Sequence, residues 1–262
     1  MTIIITGSST GIGFALAEFF GKKGHHVFGL SRKPADSEYF KTILTDITDH
    51  HQIQNAISEI LKTETKIDVL INNAGMGMVG AVEDSTQEEI LKLFNLNLVG
   101  SVQMMTAVLP TMRENRSGKI INISSIGSEM GLPFRGFYSA SKSALDKVTE
   151  AIRYEVSPWN IEVCTLHLGD IKTNIAENRV KTKVSEPYQK TFNSVYELMN
   201  SHVKEGLEPL EVAAYIEKLL AKKVWKAHFY FGKFGQKIGV PLKWILPQNW
   251  YENLMKKYNH LD

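Results

Sequence analysis

The sequence predicts a doubly wound parallel α/β sheet in three layers, and three observations carry the prediction. Short apolar runs alternate with longer amphipathic stretches over most of the 262 residues. The first run, Thr2–Thr6, is β-branched throughout, as suits a parallel strand covered on both faces. A glycine-rich turn, Thr6-Gly7-Ser8-Ser9-Thr10-Gly11-Ile12-Gly13, follows it directly and opens onto a helical pattern.

The elements follow in order. Gly11–Lys23 has helical spacing, with Ile12, Ala15, Leu16, Phe19 and Phe20 on one face. Val27–Leu30 and Thr42–Leu44 read as strands, Gln52–Leu61 as a helix and Asp68–Ile71 as a strand. Glu88–Met112 reads as one long helix, ended near Arg116-Ser117-Gly118. Lys119–Ile123 is the next strand, Tyr138–Val156 a helix and Ile161–His167 a strand. Pro209–Ala221 makes a helix with Glu211 in its first turn and Lys222 and Lys223 just beyond its end, and His228–Phe231 is the last strand. Alternating strands and helices joined by right-handed crossovers give a parallel sheet with helices on both faces. Two stretches fall outside this repeat: about 172–208, expected to be a helical lid, and about 232–262, a C-terminal extension. With no internal repeat or low-complexity linker, residues 1–262 are expected to form a single domain.

Composition narrows the class. Hydrophobic residues make up 43% and charged residues 22%, which excludes disordered, collagen-like and multi-span membrane proteins. A net charge of +2 is too small to indicate a nucleic-acid partner. The one cysteine, Cys164, lies inside the apolar run Ile161–Leu168 and reads as a buried, inert thiol in a reducing compartment. The start, Met1-Thr2-Ile3-Ile4-Ile5-Thr6-Gly7, lacks the basic flank and long apolar stretch of a signal peptide. No run of about 18 apolar residues is present. A cytoplasmic location without a membrane span is therefore expected. No His/Cys cluster has metal-ligand spacing, so no metal is expected.

The glycine turn is built for an anion. Gly7 permits the tight turn, Gly11 admits backbone close to a pyrophosphate, and Gly13 lets the helix pack against the sheet. The helix start adds free N–H groups, at Ser9, Thr10 and Ile12 among others, and a partial positive charge. Such Rossmann-type folds place an acid at the end of the second strand to bind the adenosine ribose. Here Ser31 occupies that place, followed by Arg32 and Lys33. A serine removes the repulsion of a 2′-phosphate, and a guanidinium offers it planar, charge-assisted hydrogen bonds. NADP(H) is therefore expected over NAD(H).

The spacing of the turn (glycine, three residues, glycine, one residue, glycine) resembles that of the short-chain dehydrogenase/reductase family. Further motifs carry the resemblance: Asn72-Asn73-Ala74-Gly75 after the fourth strand, Asn97 in Asn97-Leu98-Val99-Gly100, Asn122-Ile123-Ser124-Ser125 closing the fifth strand, and Tyr138-Ser139-Ala140-Ser141-Lys142 opening a helix. They keep the family's order over about residues 2 to 173. Ser125 lies thirteen residues before Tyr138, the family's usual separation. The run Leu168-Gly169-Asp170-Ile171-Lys172-Thr173 has Leu168 in place of the family's proline, so its loop is expected to be less rigid.

The resemblance implies hydride transfer between a nicotinamide and a carbonyl or alcohol carbon, with Asn97, Ser125, Tyr138 and Lys142 as catalytic residues. A phenol of ordinary pKa about 10 is a poor base at neutral pH. Lys142, four residues on and on the same helix face, is expected to lower it. Ser125 is expected to hold the substrate oxygen beside Tyr138. Asn97 is implied to anchor a water leading from Lys142 to solvent. Cofactor contacts are expected from Gly7, Ser9, Thr10, Gly11, Ile12 and Gly13, from Ser31, Arg32, Asp46, Ile47, Asn73, Ala74 and Gly75, from Tyr138 and Lys142, and from Ile171 and Thr173. His167 reads as a packed, hydrogen-bonded residue. The alternative function is an NADP(H)-binding redox sensor without turnover, against which the intact Ser125, Tyr138 and Lys142 speak.

The lid offers Ile175, Val180, Val184, Tyr188, Phe192, Val195, Tyr196, Leu198 and Met199; the tail adds Phe229, Phe231, Phe234, Trp244, Ile245, Leu246, Trp250 and Tyr251. They suggest an apolar pocket for a lipid-, steroid- or retinoid-like or aromatic carbonyl compound, or packing of the terminal helices on the core or a partner subunit. Lys233, Lys237, Lys243, Lys256 and Lys257 lie among these aromatics, as a weak membrane-surface contact or, in preference, as a solvated face with snorkelling lysines. Relatives pair through the helices here at Glu88–Met112 and Tyr138–Val156, which implies a homodimer or homotetramer.

Overall fold

The strands assemble where β-branched apolar residues cannot be covered from one side alone. The computed structural model describes residues 1–173 and 179–261. A seven-stranded, wholly parallel sheet has the order β3 (Lys41–Leu44), β2 (His26–Ser31), β1 (Thr2–Thr6), β4 (Val69–Asn72), β6 (Gly118–Ser125), β7 (Ile161–Leu168) and β9 (His228–Phe231). Strand order reverses between β1 and β4, the crevice where doubly wound sheets take ligands.

Helices α1 (Gly11–Lys22) and α7 (Pro209–Leu220) cover one face, burying Leu16, Ala17, Phe20, Val212, Ile216 and Leu219 against Ile3, Ile5 and Leu166. On the other face α2 (His50–Leu61), α4 (Ser101–Glu114) and α5 (Gly136–Val156) pack Ile53, Ile57, Met104, Val108, Met112 and Ile152 against Ile4, Leu70 and Ile120. Cys164 is buried in the first cluster, as expected. The run Gln87–Glu114 has the length and mean hydropathy of a membrane span, yet its apolar residues Leu93, Met104, Met105, Val108 and Met112 are core.

That run is not one regular helix. It divides into α3 (Gln87–Phe94), a π-helical turn Asn95–Gly100 and α4. A π turn inserts one residue into the ladder and re-aims a side chain, and such turns concentrate at functional sites. Here it carries Asn97 inward to full burial.

The stretches outside the repeat also take regular form. A two-stranded parallel ladder pairs β5 (Met78–Val79) with β8 (Val180–Lys181), and α6 (Glu186–Lys204) packs Phe192 and Met199 on Val79. The tail forms α8 (Phe234–Ile245) and α9 (Gln248–Tyr258). Of the expected lid residues, Ile175 lies outside those described. Where Leu168 stands in place of proline, the backbone that follows is hydrogen-bonded at three points. The Gly169 N–H donates to Phe231 O at 2.8 Å, Ile171 bridges Leu207, and Lys172 N–H donates to Leu207 O at 2.9 Å.

Candidate active site

The glycine turn takes the shape its sequence requires. Gly7 adopts φ +69°, which a side chain would strain, and its N–H donates to Leu30 O at 2.7 Å. A Cβ at Gly13 would lie 2.2 Å from Gly7 O, so only glycine lets α1 start this close to the strand end. Thr10, the N-cap of α1, makes no side-chain capping bond. The first-turn N–H groups of Gly11, Ile12 and Gly13 therefore keep their donor capacity toward the crevice, alongside Ser9, and a pyrophosphate fits there. Thr173 closes over this turn, its Cγ2 3.6 Å from where a Gly11 Cβ would stand.

Thr6 ties the β1 end to the β4 end. Its Oγ1 accepts from the N–H of Asn73 at 3.0 Å and of Ala74 at 2.9 Å, while Asn73 Nδ2 donates to Thr6 O at 3.0 Å and Gly7 O at 3.3 Å. Ser31, buried at the end of β2, donates its hydroxyl to Lys33 O at 2.6 Å, and Arg32 is exposed beside it. Asp46 turns its carboxylate to the N–H and hydroxyl of Thr48, at 2.9 and 2.8 Å. Buried Ile47 packs on Gly100 of the π turn.

The catalytic candidates meet at the carboxyl ends of β4 and β6. Asn97 Nδ2 donates to Met76 O at 3.0 Å and Ser141 Oγ at 3.1 Å, and its Oδ1 accepts from Met76 N–H at 2.8 Å. Ser125 closes β6, where its Oγ accepts from Gly127 N–H at 3.0 Å. Lys142 is buried and donates from Nζ to Ile123 O at 2.8 Å; burial pushes its pKa down to about 8, against the pull of Asp146. Gly75 lies beside this ammonium, a Cβ there falling 3.4 Å from Nζ.

Burial pushes the Tyr138 phenol above its ordinary pKa. Hydrogen bonding with Ser125 draws it down, followed by the guanidiniums of Arg135 and Arg179, while Asp170 opposes them. The sequence reading assigned this pull to Lys142; in the structure that ammonium is turned to the Ile123 carbonyl. Arg135 and Arg179 were missed. Arg135 stands three residues before Tyr138, so helix spacing was the available signal. Arg179 reaches the site by packing on Gly77, with Cγ 2.8 Å from where a Cβ would stand, a contact no local pattern announces.

His167 lies beneath the site as a packed residue. Its Nδ1 is 3.1 Å from Ser128 Oγ and 3.2 Å from Ser125 O, and the ring stacks on Tyr230 at 4.6 Å. Among the described residues no cluster of three His, Cys, Asp or Glu is arranged to hold a metal. A surface cleft of about 730 Å³ is lined by Ala81, Val82, Pro133, Phe134, Pro187, Tyr188 and Leu261, with Glu83 and Thr191 as its polar members.

A parallel sheet with an anion-binding turn at its reversal point, together with half-buried Ser125 and Tyr138 and a buried Lys142, defines a dinucleotide-dependent oxidoreductase. The short chain dehydrogenase family model matches residues 1–184, and the chain belongs to the short-chain dehydrogenase/reductase family, whose members act on carbonyl and alcohol groups. It is 39% identical over 251 residues to a 3-ketodihydrosphingosine reductase of Bacteroides thetaiotaomicron, covering 94% of this chain and 93% of that one. It is 32% identical to an NADPH-dependent 3-dehydrocapnine reductase of Ornithobacterium rhinotracheale, covering 86% and 82%. A crystal structure of a short-chain dehydrogenase from Streptomyces avermitilis superimposes with TM-score 0.83 at 26% identity, covering 99% and 96%.

Proposed function

We propose that this protein is an NADPH-dependent reductase of a long-chain 3-ketone of the 3-ketodihydrosphingosine class. The observation that carries the reading is the Tyr138 phenol, hydrogen-bonded with Ser125 and under the positive charge of Arg135 and Arg179, in a sheet whose first helix, α1, has an uncapped N-terminus. The relatives named 3-ketodihydrosphingosine reductase and 3-dehydrocapnine reductase support the substrate class, and the apolar side chains Val82, Pro133, Phe134 and Leu261 of the surface cleft suit an alkyl chain.

In this reading the first-turn amides of α1 hold the pyrophosphate, Arg32 takes the 2′-phosphate, and Asn73, Ala74, Gly75, Asp46 and Ile47 border the adenosine side. Ile171 and Thr173 border the nicotinamide, and Lys142 its ribose. When bound, the reduced nicotinamide supplies a hydride to the carbonyl carbon. Ser125 orients the carbonyl oxygen, and Tyr138 gives it the phenolic proton. Lys142 passes a proton back toward Tyr138, and Asn97 fixes the loop at Met76 beside it. The reaction is placed in the cytoplasm, in a homo-oligomer paired through α3–α4 and α5. Leu91, Val99 and Tyr154, exposed on these segments, support such pairing.

The test is steady-state kinetics with 3-ketodihydrosphingosine, a short-chain 3-ketone and a sugar ketone, each with NADPH and NADH. We expect the long-chain ketone to lead, and NADPH to be favoured in kcat/KM by at least about tenfold, or roughly 1.4 kcal/mol. Ser31→Asp with Arg32→Ala is expected to abolish that preference. A wild-type preference for NADH, or for the sugar ketone, would contradict the reading.

A further inference from the structure

We propose that the outward face of α8 and α9 is a docking surface for the anionic lipid bilayer. The inference stands on the tail alone and does not depend on the substrate assigned above.

An ordinary surface helix turns its apolar stripe to the core. Helix α8 does the reverse. Phe234, Ile238, Pro241 and Ile245 follow one another at spacings of four, three and four residues, which puts them on one side of the helix. All four are exposed, Phe234 at 76% and Ile245 at 74%. The opposite side holds buried Val240, Gln236 bonded to Asp170, and Lys243 donating to Glu129 O. The helix is thus fastened to the body through Val240, Gln236 and Lys243, and its register is set by those contacts. Trp244, 77% exposed, and Trp250, 68% exposed, flank the turn into α9, where Leu254 is also exposed.

Charge selects the occupant. Residues 233–262 carry five lysines against two acids, Glu252 and Asp262, and Gln248 Nε2 donates to the Glu252 carboxylate at 2.9 Å. Lys237, Lys256 and Lys257 are exposed, with no ion-pair partner among the described residues. Exposed tryptophans beside lysines suit the headgroup region of a bilayer, where the indole lies at the interface and the ammonium meets lipid phosphate. A second copy of this chain docking symmetrically would set lysine against lysine, so the lipid surface is the better complement.

The test is sedimentation with phosphatidylcholine vesicles, with and without phosphatidylglycerol, alongside tryptophan fluorescence. We expect the protein to pellet with phosphatidylglycerol vesicles, with a blue-shifted emission, and to be released by salt. Phe234→Glu with Ile245→Glu should weaken partitioning at least about tenfold while circular dichroism is unchanged. Replacing Lys237, Lys256 and Lys257 by Gln should weaken binding to the anionic vesicles alone, again by at least about tenfold. Protein left in the supernatant with both vesicle types would overturn the proposal. So would sedimentation velocity showing an oligomer that Phe234→Glu with Ile245→Glu reduces to a smaller species, since the face would then belong to a second copy.

Discussion

Asn97 holds the peptide unit of Met76 from both ends, accepting from its N–H at 2.8 Å and donating to its carbonyl at 3.0 Å. The pairing imitates one rung of a β-ladder, made by a side chain. It joins the π turn Asn95–Gly100 to the loop after β4, and so fixes Gly75 beside the Lys142 ammonium. Asn97→Asp keeps the shape but removes both donors and buries a carboxylate against a carbonyl. Because leaving such groups unpaired typically costs about 1–3 kcal/mol, we expect a lower urea midpoint with an unchanged m-value, together with reduced turnover. Unchanged stability would show that the Met76 bridge carries no weight.

Arg135 bears on the phenol's ionisation. Its positive charge favours the phenolate, so Arg135→Met should raise the Tyr138 pKa. In the alcohol-oxidising direction the phenolate is the base. The rising limb of kcat/KM against pH is therefore expected to move to higher pH in this variant. An unmoved limb would mean that Ser125 and Arg179 suffice to set the phenol.

Lys142 ties stability to alkaline pH. Its folded-state pKa of about 8 lies below the ordinary 10.5. Below about pH 8 both folded and unfolded chains hold the proton, and the native state bears the full cost of a buried ammonium. Between about 8 and 10.5 the native state releases the proton first, so this residue's contribution to stability rises with pH. Relative to Lys142→Met, wild-type stability should climb by up to about 3 kcal/mol across that window, measured by urea unfolding at a series of pH values. A flat difference would show that Lys142 is not desolvated.

The sheet was legible because its strands are short, apolar and β-branched, and because Gly7, Gly11 and Gly13 have few other uses at that spacing. Ser125, Tyr138 and Lys142 were legible as residue types at set separations. The π turn was not, since Asn95–Gly100 departs from α geometry where the Asn97–Met76 contact lies, across sequence. Helix α8 was hard to delimit, with Gly235, Gly239 and Pro241 arguing against a helix and an apolar stripe that faces away from the core. Those same side chains were expected to line a pocket or to pack on the core or a partner subunit; Phe234, Trp244, Ile245 and Trp250 are exposed on the single chain. Arg179 was invisible because its place beside Tyr138 depends on the ladder between β5 and β8.

The most direct measurement compares wild type with Tyr138→Phe in NADPH oxidation driven by 3-ketodihydrosphingosine, with NADPH affinity measured separately by fluorescence titration. General acid groups commonly contribute 10²–10⁴-fold. The substitution is therefore expected to lower kcat by at least about a hundredfold while the Kd for NADPH changes little, because the pyrophosphate site at Gly7–Gly13 is untouched. A variant that keeps more than about a tenth of the wild-type rate, or a wild type that binds NADPH but turns over no ketone, would contradict the assignment of Tyr138 as the proton donor of a reductase.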